Sequence, residues 1–128
     1  MRLGAVFPSY EMEDDPAAVR DFAQAVEGMG FDHILFIDHV LGVSDEDYPD
    51  VQGPYRYTHR FHEPFAVMAY LAGLTERIEF FTAILILPQR QTVLAAKQAA
   101  GVDYLSGGRL RLGVGVGWHE LEFDGLNE

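Results

Sequence analysis

Asp38 and His39 stand together at the end of the apolar run His33–Ile37, and they form the pair best suited to chemistry in this chain. An imidazole at the carboxyl end of a buried strand, facing a pocket, donates or accepts a proton near neutral pH. The neighbouring carboxylate is placed to hydrogen-bond a ligand or to position the loop that follows. A plainer reading stands beside this one, in which Asp38 caps the next turn and His39 is half exposed.

A second group is Gly113-Val114-Gly115-Val116-Gly117, followed by Trp118 and His119. Trp118 occupies the place where a dinucleotide-binding G-x-G-x-x-G requires its third glycine, so that motif is absent. The glycines either let a flat ligand approach the sheet closely or serve packing alone. His59 and His62 with Glu63 straddle a loop-to-helix boundary, without a third ligand at convincing spacing, so no metal site is expected. Tyr55, Arg56 and Tyr57 are either substrate contacts or aromatic anchors of their loop.

Strand and helix signals alternate along the chain to position these residues. Leu3–Phe7 is a short apolar run closed by Pro8. Asp15-Pro16 then supplies a helix cap and a first-turn proline, with Val19, Phe22, Val26 and Met29 at helical spacing and Gly30 as the stop. The second strand, His33–Ile37, delivers Asp38 and His39. A long polar stretch, Val40–His62, has no steady period, and loops of that length usually bind or cover something. Glu63-Pro64 reopens a helix with Phe65, Met68, Ala69 and Ala72 on one stripe. Ile78–Leu87 reads as a third strand covered on both faces, as in a parallel sheet. Thr92 is expected to cap a third helix running to about Leu105. Leu110–Val116 is the fourth strand, and Trp118 opens another connection. This βα alternation specifies an α/β fold, either a doubly wound open sheet or part of a (β/α)₈ barrel, of which 128 residues would supply roughly half.

Composition removes several function classes. A chain of 128 residues that is 48% hydrophobic can bury one core as a single domain, and the absence of Cys rules out thiolate chemistry and disulfides. A formal charge of −11 repels phosphate backbones and anionic lipid, so no nucleic-acid or membrane partner is expected. The longest apolar run, Phe80–Leu87, falls far short of the roughly 20 residues a membrane span needs. The amino terminus does not read as a secretory signal, and a cytoplasmic location is expected.

Five blocks then occur in order: Phe36-Ile37-Asp38-His39-Val40, Leu74-Thr75-Glu76-Arg77-Ile78, Leu87-Pro88-Gln89-Arg90, Leu105-Ser106-Gly107-Gly108-Arg109 and Leu112–Trp118, with Glu122-Phe123 soon after. Together they make the chain resemble the bacterial luciferase-like monooxygenase family, most closely its branch of coenzyme F-420 (deazaflavin)-dependent oxidoreductases. The resemblance implies a (β/α)₈ TIM barrel, of which residues 1–128 form roughly the N-terminal half, with F-420 or alternatively FMN in its mouth. It implies hydride transfer between the ring and a small organic substrate, with His39 as proton donor or acceptor and Asp38 beside the ring. It places a non-proline cis peptide at Ala83-Ile84 behind the ring, leaves room for the ring at Gly115 and Gly117, and sets Trp118 in the pocket wall. Some deazaflavin sugar-phosphate dehydrogenases carry a catalytic glutamate where Trp118 stands, which argues against their substrate. Ser106–Arg109 precedes a strand at the barrel bottom and is read as a stabilising turn. The missing half is expected either from a longer polypeptide or from a homo-oligomer, and a non-catalytic, oligomerising half barrel is the reading of a different class.

Overall fold

A computed structural model describes residues 1–12, 15–51, 53 and 55–126. In chain order the elements are β1 (Gly4–Val6), α1 (Pro16–Gly28), β2 (His33–Phe36), α2 (Pro64–Ala72), β3 (Glu79–Thr82), β4 (Leu85–Ile86), a 3-10 turn (Leu87–Gln89), α3 (Thr92–Ser106), β5 (Leu110–Arg111), β6 (Val114–Gly115) and α4 (Glu120–Leu126). The main sheet runs β1-β2-β3-β5, every pair parallel. Strands that neighbour each other in sequence order, without a reversal, are the barrel arrangement; a doubly wound sheet would reverse direction at a switch point. The fold is α/β with a parallel sheet, and the architecture is half of a TIM barrel.

Helix starts follow local chemistry. Asp15 accepts a hydrogen bond from the Ala17 N–H at 2.8 Å, and Glu63 accepts from Ala66 N–H at 2.8 Å. The cap of α3 is Gln91, whose side chain accepts from the Leu94 N–H, so Thr92 is the first helical residue and not the cap. In α1 the buried positions are Val19, Ala23 and Val26, whereas Met29 sits at the C-terminal cap and is exposed.

The expected third and fourth strands are each broken. The Ala83-Ile84 peptide is cis, and beyond it β4 pairs with β6 as a separate two-stranded sheet. Pairing continues around the break through Ala83 N–H to the Phe36 carbonyl at 2.7 Å and Leu85 N–H to the Gly113 carbonyl at 2.8 Å. Coverage is also one-sided. Ile34, Phe36, Phe80 and Thr82 are buried on the helix side with Phe7, Met68, Leu71 and Ile78, while Leu35 and Phe81 on the alternate face are only half-buried and Val6 is 63% exposed. That alternate face is the barrel interior. Among the described residues no helix is long and apolar enough to cross a membrane.

The amino-terminal ends of the strands are locked by charge. Glu27, at the end of α1, accepts the backbone N–H groups of Glu76, Arg77 and Ile78. Burial alone would raise its carboxyl, and these donors outweigh it and hold the group below its ordinary value. The Arg109 guanidinium donates five hydrogen bonds, to the carbonyls of Ser106, Ile78, Ala72 and Thr75 and to the Thr75 hydroxyl, and lies over the Phe80 ring. The turn Ser106–Arg109 therefore ties α2, β3 and α3 together. Arg109→Met leaves those acceptors short of donors and is expected to cost ~2–4 kcal/mol in urea denaturation, with the m-value unchanged. Arg109→Lys recovers only part of it, because an ammonium cannot span the same carbonyls. A loss below ~1 kcal/mol for the Met variant contradicts the assignment.

Candidate active site

Beyond β2 the chain continues through Ile37 to Asp38 and His39, and the two side chains part company. Asp38 is 3% exposed, and Arg90 grips it with both ends of its fork, Nη2 to Oδ1 at 2.6 Å and Nε to Oδ2 at 3.1 Å. The Ile86 N–H donates to Oδ2 at 2.9 Å. Arg90 also reaches Glu63 at 2.8 Å and lies over the Phe65 ring. A buried carboxylate needs such partners to offset its lost hydration. Asp38 thus ties the tips of β2 and β4 to the start of α2. Both of its oxygens accept hydrogen bonds, Oδ1 from Arg90 and Oδ2 from Arg90 and the Ile86 N–H.

His39 turns the other way, and its anchor is Glu122 on α4. Nδ1 lies 3.0 Å from Glu122 Oε2, while Oε1 accepts the backbone N–H groups of Val40 and Leu41. Glu122 is 2% exposed. Burial pushes its carboxyl up, but the hydrogen bonds from His39, Val40 and Leu41 and the charge of His39 prevail and hold it at about 2. An ionised carboxylate at Nδ1 fixes that nitrogen as the N–H and leaves Nε2 for other work. Among the described residues no hydrogen-bond partner sits on Nε2.

Aromatic rings surround the imidazole. Tyr55 lies 4.3 Å from His39 and Phe61 5.1 Å, centroid to centroid. Tyr55 continues to Trp118 at 5.2 Å and His119 at 5.8 Å. Of the loop residues Tyr55, Arg56 and Tyr57, the first packs on the imidazole, and Arg56 braces the loop through Asp45 at 2.8 Å. Ile84 and Trp118 are large apolar side chains left 38% and 65% exposed at neighbouring strand tips. A cavity of about 310 Å³ opens beside His39, lined among others by Leu41, Tyr57, His59, Phe61 and His62. His59 and His62 belong to its wall, and among the described residues no three metal-ligating side chains come together.

Gly115 and Gly117 stand close to the side chains of Ile84 and Ile86. A Cβ on Gly115 would stand 2.7 Å from the Ile84 Cδ1, and one on Gly117 2.7 Å from the Ile86 Cγ2. Their missing side chains are filled by β4 and its bulge, so close packing accounts for both glycines. Gly117 also has φ of +74°, which favours glycine on its own. Glu122 and Arg90 gain roles that local pattern did not assign. Glu122 is separated from His39 by 83 positions, and its sequence signals are an acid set between Leu121 and Phe123 and the Glu122-Phe123 pair that follows the five blocks.

The His39–Glu122 contact carries a pH signature. Glu122 shifts from an ordinary 4.5 to about 2 on folding, so between those values the unfolded chain binds more protons. The stabilisation is therefore complete above about 4.5 and is lost as pH falls toward 2. Glu122→Gln is expected to be less stable at pH 7 by on the order of 2–3 kcal/mol, with the gap to the parent closing on acidification. A gap independent of pH contradicts an ionised, hydrogen-bonded Glu122.

With this geometry in place, comparison with known proteins is informative. A family model described as luciferase-like monooxygenase matches residues 1–128. Pyrimidine monooxygenase RutA of Pseudomonas syringae pv. syringae is 27% identical over 117 residues, 91% of this chain and 28% of that protein. The uncharacterized protein Mb0965c of Mycobacterium bovis is 35% identical over 104 residues, 77% of this chain and 36% of its own. Among solved structures, a type II Baeyer-Villiger monooxygenase from Pseudomonas putida, in complex with FMN, superposes with a TM-score of 0.73 at 18% identity, covering 98% of this chain and 32% of that one. The coenzyme F420-dependent tetrahydromethanopterin reductase of Methanopyrus kandleri gives 0.68 at 22% identity, covering 98% and 30%. The chain thus spans 28–36% of the length of these four relatives. With the match running through every residue and the barrel strand order independently in place, the chain belongs to the luciferase-like monooxygenase family.

Proposed function

We propose that this chain forms the proton-handling wall of an oxidoreductase that binds a flat redox ring and moves a hydride between it and a small organic substrate. Coenzyme F-420 is the first choice of ring, and FMN, in a monooxygenase of the same family, is the alternative. The observation that carries the reading is His39, fixed at Nδ1 by the buried carboxylate of Glu122 and, among the described residues, left without a hydrogen-bond partner at Nε2.

The residues present suit such a ring. Ile84 and Trp118 expose apolar surface, and Trp118 packs on Tyr55, which in turn packs on His39. A planar ring gains from lying against surface of that kind. When bound, the ring supplies the redox equivalents, as a hydride or, for reduced FMN, as electrons for oxygen. The chain supplies orientation and proton control. His39 holds or takes a proton at Nε2, Glu122 stabilises the imidazolium that results, and Trp118 and Tyr55 exclude water. Asp38 acts through Arg90 as a positioning residue, and Ala83 anchors the bulge through its bond to the Phe36 carbonyl. Gly115 and Gly117 let Ile84 and Ile86 approach, which sets the height of the platform. The open edges at β1 and β5 belong, in this reading, against further strands of the same polypeptide or against a second copy.

The test is His39→Ala in the complete barrel, assayed with each ring. Turnover is expected to fall by ~10²–10⁴-fold, while the ring Kd from fluorescence titration stays within ~threefold. Intact turnover in that variant overturns the role of His39. A stable oligomer that binds neither ring supports the non-catalytic half barrel instead.

A further inference from the structure

We infer that His119 is a binding residue for the polar edge of the ring, and that the Tyr55 side chain is the gate that covers it until the ring enters. This rests on the reading of the mouth given above. His119 is 5% exposed, and its Nδ1 is buried with no hydrogen-bond partner among the described residues. An unpaired buried nitrogen forfeits its bond to water, and native proteins keep few such groups without a use. In a neutral imidazole each nitrogen either donates or accepts. Either form matches the edge of a flavin or deazaflavin ring, where N–H and C=O groups alternate.

The rings packed on His119 are Trp118 at 5.0 Å and Tyr55 at 5.8 Å. Tyr55 lies at the same time 4.3 Å from His39 and 5.2 Å from Trp118. A flat ligand slipped between two rings needs them about 7 Å apart, two layers of ~3.5 Å each. The phenol therefore holds the space that a ligand touching both His39 and Trp118 would take. The backbone that carries it is pinned. The Tyr55 carbonyl accepts the Val43 N–H at 2.8 Å, the Tyr57 N–H reaches the Val43 carbonyl at 3.0 Å, and Val43 is buried. Gly42 permits that approach, since a Cβ there would stand 2.4 Å from the Tyr57 Cα. What can move is the half-buried side chain, and Gly53 beside it has no side chain to brace it. Rotation about χ1 of Tyr55 opens the space and uncovers His119 while the loop stays in place.

The test mixes FMN and F-420 separately with the complete barrel and three variants, read by ring fluorescence and by NMR of the histidine ring nitrogens. Tyr55→Ala is expected to raise the association rate constant by about tenfold or more, as for a gate open roughly a tenth of the time or less, while Tyr55→Phe keeps the parental rate. Ring binding is expected to shift the Nδ1 resonance of His119. His119→Phe is expected to raise the ring Kd by roughly five- to tenfold, with a urea midpoint no lower than the parent's, because the variant loses an unpaired buried group. A merely structural His119 would do the opposite, lowering the midpoint and leaving Kd alone. Association rates within about twofold of each other across the Tyr55 series overturn the gate. An unmoved Nδ1 or an unchanged Kd overturns the binding role of His119. Failure of both rings to bind the parent and Tyr55→Ala alike removes the ring reading and this inference with it; a ring that binds with these readouts unmoved keeps the reading and removes the inference alone.

Discussion

A buried carboxylate on the last helix and an imidazole on the second strand tip meet across 83 positions of chain, and the mouth of the half barrel is organised around that contact. Glu122 at 2% exposure would be costly alone. Its two oxygens are satisfied by one side chain and two backbone N–H groups, all from the segment that leaves β2. The same bonds orient the imidazole, select its tautomer and fix the first residues of the long loop. Loss of the contact would free α4, the loop start and the imidazole together.

Around it the molecule separates two tasks. At the amino-terminal ends of the strands, Glu27, Arg109 and the pairing of Glu79 with Arg111 and Arg2 hold turns and strand starts. The hydrogen bonds and charges of Arg111 and Arg2 keep the Glu79 carboxyl at about 2, against the pull of burial. At the carboxyl ends, charge serves orientation: Asp38, Arg90 and Glu63 brace the tips so that His39, Ile84 and Trp118 stand in fixed relation. Barrel enzymes generally keep stability at the amino-terminal ends of their strands and chemistry at the carboxyl ends.

Much of this was legible in residue order. Alternation of apolar runs with capped helical stripes specified βα units, and a pair of polar residues ending the buried run His33–Ile37 placed Asp38 and His39 at a strand tip. The cis bond at Ala83-Ile84 lies where family resemblance put it. What local pattern could not supply was pairing over distance. Nothing near Asp38 announced Arg90, nothing near His39 announced Glu122, and glycines at 115 and 117 look alike whether a ligand or an isoleucine fills their space. The apolar runs themselves read as continuous strands, and the family resemblance alone placed a bulge at Ala83-Ile84. Each discrepancy arises where tertiary contact, rather than local preference, decides.

In the proposed function a planar ring rests against Ile84 and Trp118 with its edge toward the imidazole of His39. A crystal structure of the protein with F-420 or FMN bound tests that directly. It should show the ring on this platform with Nε2 of His39 within hydrogen-bond distance of ring or substrate. A ring seated away from the strand tips, or an imidazole swung off Glu122 and out of the mouth, would contradict it.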